Sequence, residues 1–213
     1  MKFVTAFQRQ LRRPSGFFGR YLLTRLWNRW NRELHKVAFR SLDVRPSDRV
    51  LEIGFGGGWL MGRIHPMFET GFIAGVDHSL AVCRHCAAHF RRAVREGRLG
   101  LGCADDGTLP FACGTFDKAV SVNSVIFWPD PWSAFLEVAR VLKPGGTHVV
   151  VFTDPEALKN RLGDTDVLAA ASTSEVRRWL RGTGFQIVDA AQHGDRHRSF
   201  HSIVSKKTRS TEG

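Results

Sequence analysis

From residue 49 onward, short apolar or β-branched runs alternate with longer segments of mixed polarity. The runs fall at 49–53, 71–76, 99–103, 118–122, 147–152, 185–190 and 199–205. Between most of them lie segments long enough for helices, at 59–68, 81–96, 131–142 and 174–182. Strands that alternate with helices predict an α/β fold, a parallel sheet with helices on both faces. Only the polar stretch 192–198 separates the last two runs, which predicts an antiparallel hairpin at one sheet edge. The expectation is therefore a doubly wound sheet of seven strands with the last one antiparallel.

The first part of the chain follows a different period. Leu23, Leu26, Trp27, Trp30, Leu34 and Val37 recur at three- and four-residue spacing, one narrow apolar helical face. Arg25, Arg29, Arg32, Lys36 and Arg40 fall on a separate stripe. Residues 18–40 are expected to form an amphipathic helix with a cationic side, and residues 1–47 a helical cap on a domain spanning 48–207. Residues 208–213 read as a tail. Charge sharpens this division. Lys and Arg number 31 against 20 Asp and Glu, a net +11. Residues 1–49 hold 12 basic and 3 acidic side chains, +9; the rest hold 19 and 17, +2. A basic arm on a near-neutral domain points to an add-on that faces an anionic partner, a membrane surface or water. It argues against a nucleic-acid grip spread over the whole fold. The helix over 18–40 is expected to pack on the domain with its charged face solvated, and contact with anionic lipid or substrate is a further expectation.

Composition bounds the rest. With 43% hydrophobic and 24% charged residues in a 213-residue chain, one domain with its own core is expected. No run approaches the roughly 18 apolar residues of a membrane span. The start lacks an unbroken apolar segment, so no secretory signal is expected and the cytoplasm is the expected location. Cys83 and Cys86 form a C-x-x-C near His85 and His89, but Cys103 and Cys113 do not supply a second ligand pair at metal-site spacing. Reduced thiols and no metal are expected.

The strongest chemical signal is Val50-Leu51-Glu52-Ile53-Gly54-Phe55-Gly56-Gly57-Gly58-Trp59-Leu60. A strand enters a glycine-rich turn and leaves as a helix, the place where a doubly wound sheet binds a nucleotide-like ligand. The dinucleotide spacing would need glycine at 59, where Trp59 stands, and no Gly-Lys-Ser/Thr follows. Glu52 would repel a pyrophosphate but can hold an ammonium group. That chemistry fits an amino-acid-bearing nucleoside. Asp77, 23 residues after Gly54 at the end of the second strand, can accept hydrogen bonds from two ribose hydroxyls.

On these residues the sequence resembles the class I S-adenosylmethionine-dependent methyltransferases, in particular small-molecule enzymes like those of ubiquinone and menaquinone biosynthesis. Five segments over residues 48–207 carry the resemblance: the E-x-G-x-G-x-G run Glu52 to Gly58; Val76-Asp77; the run from Cys103 through Asp105 and Leu109 to Phe111; Phe116-Asp117; and Glu137-x-x-Arg140-x-Leu142-Lys143-Pro144-Gly145-Gly146. The resemblance implies a Rossmann-like fold and S-adenosyl-L-methionine as cofactor. It places Gly54, Gly56 and Gly58 under the methionine part, Glu52 at its amino group, Asp77 on the ribose and His78 against the adenine. Ala104, Asp105 and Asp106 fall at the adenine edge, and Asn123 near the sulfonium. The Leu142 to Gly146 segment reads as structure: a helix end, a glycine turn and a new strand.

The acceptor pocket is expected between the N-terminal segment and the loop after the fourth strand. Phe17, Phe18, Tyr21, Phe127 and Trp128 are candidates to line it, with ordinary core packing as the alternative for each. An aromatic set suits an apolar or amphiphilic small molecule. No catalytic base stands out: His193, His197 and His201 cluster near the last hairpin, and no partner carboxylate can be placed for them. Two other readings stay open, a nucleic-acid methyltransferase and a non-catalytic cofactor-binding protein at an anionic surface.

Overall fold

A computed structural model describes residues 31–105, 107–162, 171–195 and 198–209. In chain order its main elements are α1 (Arg32–Leu42), β1 (Arg49–Ile53), α2 (Trp59–Ile64), β2 (Phe72–Asp77), α3 (Leu80–His89), α4 (Arg91–Arg95), β3 (Leu99–Cys103), β4 (Phe116–Val122), α5 (Pro131–Val141), β5 (Leu142–Thr153), α6 (Pro155–Leu162), α7 (Thr173–Gly182), β6 (Phe185–His193) and β7 (Phe200–Lys207). The seven strands form one sheet in the order β3-β2-β1-β4-β5-β7-β6. The pairs from β3 across to β5 are parallel. β7 enters antiparallel between β5 and β6, so the expected hairpin forms one edge. The chain steps outward from β1 to β3, then returns to lay β4 on the other side of β1. That reversal opens a crevice at the carboxyl ends of β1 and β4.

Both sheet faces are buried. On one, Leu51, Ile53 and Phe152 pack with Phe135 and Val138 of α5 and Val176 and Leu180 of α7. On the other, Val50 and Ile73 pack with Leu60 and Met61 of α2, Val82 and Cys86 of α3, and Leu34, Ala38 and Leu42 of α1. Successive residues of β1 therefore serve opposite cores, as period-2 alternation requires.

The expected 18–40 helix falls partly outside the described residues; its described part runs from Arg32 to Leu42. The apolar side of these turns lies across β4, β5 and β7, while Arg32 and Arg40 stay exposed and Lys36 pairs with Glu33 at 2.8 Å. His35 joins the buried side and stacks on Trp59 with ring centroids 5.4 Å apart.

Several boundaries differ from expectation for identifiable reasons. The single helix over 81–96 is two, because Phe90 leaves helical geometry and buries its ring; a Cβ on Gly58 would lie 2.7 Å from it. The 59–68 segment stops as an α-helix at Ile64 and continues as a short 3₁₀ turn, His65–Met67. Pro66 has no N–H to extend the ladder. The Leu142 to Gly146 segment is already strand: Leu142 pairs with Phe116, and Gly145 (φ 77°) sits where the β4–β5 register shifts. Helix α6 was not anticipated, although Asp154-Pro155-Glu156 carries a start signal. Asp154 Oδ1 accepts from Glu156 N at 2.9 Å.

Candidate functional site

At the carboxyl end of β1 the chain turns through Gly54, Gly56 and Gly58, all with positive φ (73°, 48° and 71°). Gly54 is pressed against the neighbouring strand exit: a Cβ there would meet Ser124 Oγ at 2.3 Å. At Gly56 a Cβ would meet no described residue within 4 Å, so among these residues only its left-handed backbone demands glycine.

Asp77, at the end of β2, faces this turn. It is 8% exposed. Its Oδ2 accepts from Gly56 N at 3.0 Å and its Oδ1 from Ser79 N at 2.9 Å. One carboxylate thus fixes the glycine turn and the approach to α3, and each oxygen keeps a lone pair for a ligand hydroxyl. Burial raises its pKa above the usual carboxylate value, and the two backbone N–H groups oppose that rise. His78 Nδ1 lies 3.9 Å from Asp77 Oδ1. Ala104 is held to the end of β2 through its N–H to Asp77 O at 3.2 Å, and Asp105 is exposed on the loop that follows. These expected residues share one rim of the crevice; Asp106 lies outside the described residues. The loop beyond is fastened by Glu137 and Arg140 of α5. Glu137 Oε2 accepts from Leu109 N at 2.8 Å, and Arg140 donates to the carbonyls of Phe111 and Leu109 at 2.8 and 3.0 Å. That gives the fifth sequence segment a structural task, holding the third.

Glu52 is the anomaly. It stands on β1 among apolar side chains, 1% exposed, and neither Oε1 nor Oε2 has a hydrogen-bond partner among the described residues. Burial pushes its pKa up to about 8, and the nearby Asp77 charge adds to the rise. The Met61 N–H opposes the rise, from a position that falls short of a hydrogen bond. A buried carboxylate without a donor is costly unless a ligand supplies one, and a cationic ligand group supplies the strongest.

Asn123, the first residue after β4, has φ 54°. Its Oδ1 accepts from Thr153 N at 2.7 Å and its Nδ2 donates to Asn31 Oδ1 at 2.9 Å. Its neighbour Ser124 donates from Oγ to Ile53 O at 2.6 Å, which ties β4's exit to the start of the glycine turn. Asn31 and Ser124 were not anticipated, since neither belongs to a motif.

The expected acceptor-lining residues divide. Phe17, Phe18 and Tyr21 lie outside the described residues. Phe127 is half-buried in the 3₁₀ turn Val125–Phe127, close after Asn123. Trp128 is core: 4% exposed and edge-on to Phe135 at 5.1 Å. The histidine reading needs one correction. His201 does have a carboxylate partner, Asp154 Oδ2 at 2.9 Å, because β7 lies beside β5 and brings the two together at β5's carboxyl end. His193 meets Ser202 Oγ at 2.8 Å, and His197 lies outside the described residues. Cys83 and Cys86 are free and buried, and burial pushes both thiols up to about 12. They behave as small core groups whose S–H faces the carbonyls of Asp77 and Gly56.

This arrangement offers an anionic contact for an ammonium group, a carboxylate for hydroxyls and a glycine cradle between them. Comparison with known proteins points the same way. The methyltransferase-domain family matches residues 51–150. The chain is 30% identical over 128 residues to the uncharacterized methyltransferase YdaC of Bacillus subtilis, covering 60% of this chain and 68% of that one. It is 29% identical over 179 residues to the O-methyltransferase resE of Aspergillus sclerotiorum, covering 81% and 67%. It spans about two thirds of the length of such relatives. Among solved structures, a geranyl diphosphate methyltransferase in complex with GPP and sinefungin superposes with a TM-score of 0.71 at 16% identity, over 83% of this chain and 77% of that one.

Proposed function

The chain belongs to the class I S-adenosylmethionine-dependent methyltransferases, and from that premise we propose that it methylates a small apolar or amphiphilic acceptor bound beside the carboxyl ends of β4 and β5. The observation that carries the cofactor part of this reading is Glu52, a buried carboxylate left without a donor among the described residues at the edge of the glycine turn. The residues fit S-adenosylmethionine: Glu52 would take the ammonium of its methionine part, Asp77 its ribose hydroxyls, and the Gly54 to Gly58 turn would pass beneath it. His78, Ala104 and Asp105 stand where the adenine would lie.

When bound, this cofactor supplies an electrophilic methyl group on a sulfonium. The protein's own share is alignment. The glycine turn, Asp77 and Glu52 hold one reactant, and the exit of β4 at Asn123 and Phe127 borders the other. Such alignment can lower a barrier by about 7–11 kcal/mol. An amine or thiol can arrive deprotonated and needs no base. For an acceptor that carries a proton, His201 is the side chain to test, because Asp154 fixes its orientation.

Two observations support a small acceptor with an apolar part: the half-buried ring of Phe127 four residues after Asn123, and the likeness to an enzyme crystallised with geranyl diphosphate, an amphiphile. The experiment incubates the protein with methyl-labelled S-adenosylmethionine and, separately, an organic-soluble cell extract and total nucleic acid. Label in the organic-soluble fraction is expected. Label confined to nucleic acid would overturn the small-molecule reading. Label in neither, from protein that binds the cofactor, would overturn the apolar-acceptor reading.

A further inference from the structure

Asn31 stands at the position before α1 where asparagine ordinarily caps its own helix, yet its side chain makes no capping hydrogen bond. It turns instead toward Asn123, and it is only 3% exposed. Which atom it leaves over follows from hydrogen-bond polarity rather than from the amide assignment. A backbone N–H can only donate, so the atom of Asn123 that receives Thr153 N at 2.7 Å must be Oδ1. The Thr153 hydroxyl bonds to the same oxygen at 3.1 Å. Asn123 therefore presents Nδ2 to Asn31, and Asn31 must answer with its own Oδ1. What remains is Asn31 Nδ2, a buried donor with no partner among the described residues.

The mate of this unmet donor lies at the same end of the sheet. Ser124 follows Asn123 and is pressed against Gly54, and Glu52, two residues before Gly54, holds two acceptor oxygens unmet among the described residues. His35, one turn along α1 from Asn31, stacks on Trp59 at the start of α2. The start of α1 thus sits beside the glycine turn. A buried donor and a buried acceptor, both unmet and both next to one turn, form a complementary pair for a zwitterion. An α-amino acid carries its ammonium and its carboxylate on one carbon.

We propose that Asn31 binds the α-carboxylate of the cofactor's methionine part through Nδ2 while Glu52 binds its ammonium. Asn123 acts through Asn31 as a positioning residue. It locks the amide's orientation and links the cofactor's amino-acid end to Thr153 at the end of β5. The inference rests on the S-adenosylmethionine reading above and deepens it.

The test titrates two probes into wild type, Asn31→Ala and Asn31→Asp. One is S-adenosylhomocysteine. The other is 5′-methylthioadenosine, which lacks the amino-acid group. S-adenosylhomocysteine affinity should fall at least about tenfold in Asn31→Ala, as expected for a lost hydrogen bond to a charged group, and further in Asn31→Asp. Methylthioadenosine affinity should be the same in all three proteins, which also reports that the variants are folded. Unchanged S-adenosylhomocysteine binding in both variants would overturn the inference. So would an equal loss for both probes, which would make Asn31 a support for α1 alone. No binding of S-adenosylhomocysteine by folded wild type would instead overturn the cofactor reading beneath it.

Discussion

Glu52 destabilises the protein that carries it, and the sign of that effect can be worked out. Its folded pKa is raised to about 8 from an ordinary 4.5. Below pH 4.5 it is protonated in both states and contributes nothing. Between 4.5 and 8 the unfolded chain releases the proton and the folded one keeps it, so stability falls as pH rises. By pH 7 the loss is on the order of 3 kcal/mol. Glu52→Gln removes this titration. The variant should melt higher than wild type at pH 7–8 and with it at pH 4.5, measured on ligand-free protein. A variant that melts lower at pH 8 would contradict the burial argument. Glu52, Asp77 and the three glycines were legible from sequence because their chemistry lies within one strand–turn–helix unit and the strand after it. Asn31 was not, because its meaning depends on an amide 92 residues away. The Asp154–His201 pair, separated by 47 residues, was hidden for the same reason.

Elements were legible where one periodicity ran uninterrupted. All seven strands and the alternation of helices followed from apolar runs, and the final hairpin from the shortness of its link. What sequence spacing missed was set by single residues: Phe90, whose burial against Gly58 breaks one expected helix into α3 and α4, and Pro66, whose missing N–H ends α2. The end of α7 nearest its start was misplaced by one residue, yet its local signal is strong. Ser172 Oγ accepts from Glu175 N at 3.3 Å, and Glu175 Oε2 accepts from Ser172 N at 2.9 Å. This reciprocal box satisfies donors that the first turn otherwise leaves open. Ser172→Ala should cost about 1 kcal/mol in denaturant unfolding. It should leave S-adenosylhomocysteine affinity unchanged, because α7 packs on the sheet face opposite the one that holds α2. A loss of affinity would show that the two cores are coupled.

For the whole molecule, the buried ionisable groups set two opposing slopes. Burial lowers His148 to about 3 and His35 to about 4, both from an ordinary 6.5. Between those values and 6.5 the unfolded chain takes up protons that the native state refuses, so stability is lost as pH falls below 6.5. Glu52 acts in the other direction above 4.5, and the two histidines together outweigh it on the acid side. The melting temperature of the ligand-free protein should therefore peak near about pH 6.5. Saturating S-adenosylhomocysteine should flatten the alkaline decline, since its ammonium pairs with an ionised Glu52. A melting temperature still climbing from pH 7 to 8.5 without ligand would contradict this. The sheet order that brings β4 back beside β1 is what makes the linkage functional: it sets Glu52 and Asn123 at one crevice, beneath the start of α1.

The most direct test is calorimetric titration of S-adenosylhomocysteine at pH 7 into wild type and Glu52→Gln, in two buffers of different ionisation enthalpy. Wild type should show one site, with release of nearly one proton as Glu52 ionises against the ligand's ammonium. Glu52→Gln should bind at least about tenfold more weakly with no proton released. No binding by folded wild type, or equally tight binding by both proteins without proton exchange, would contradict this.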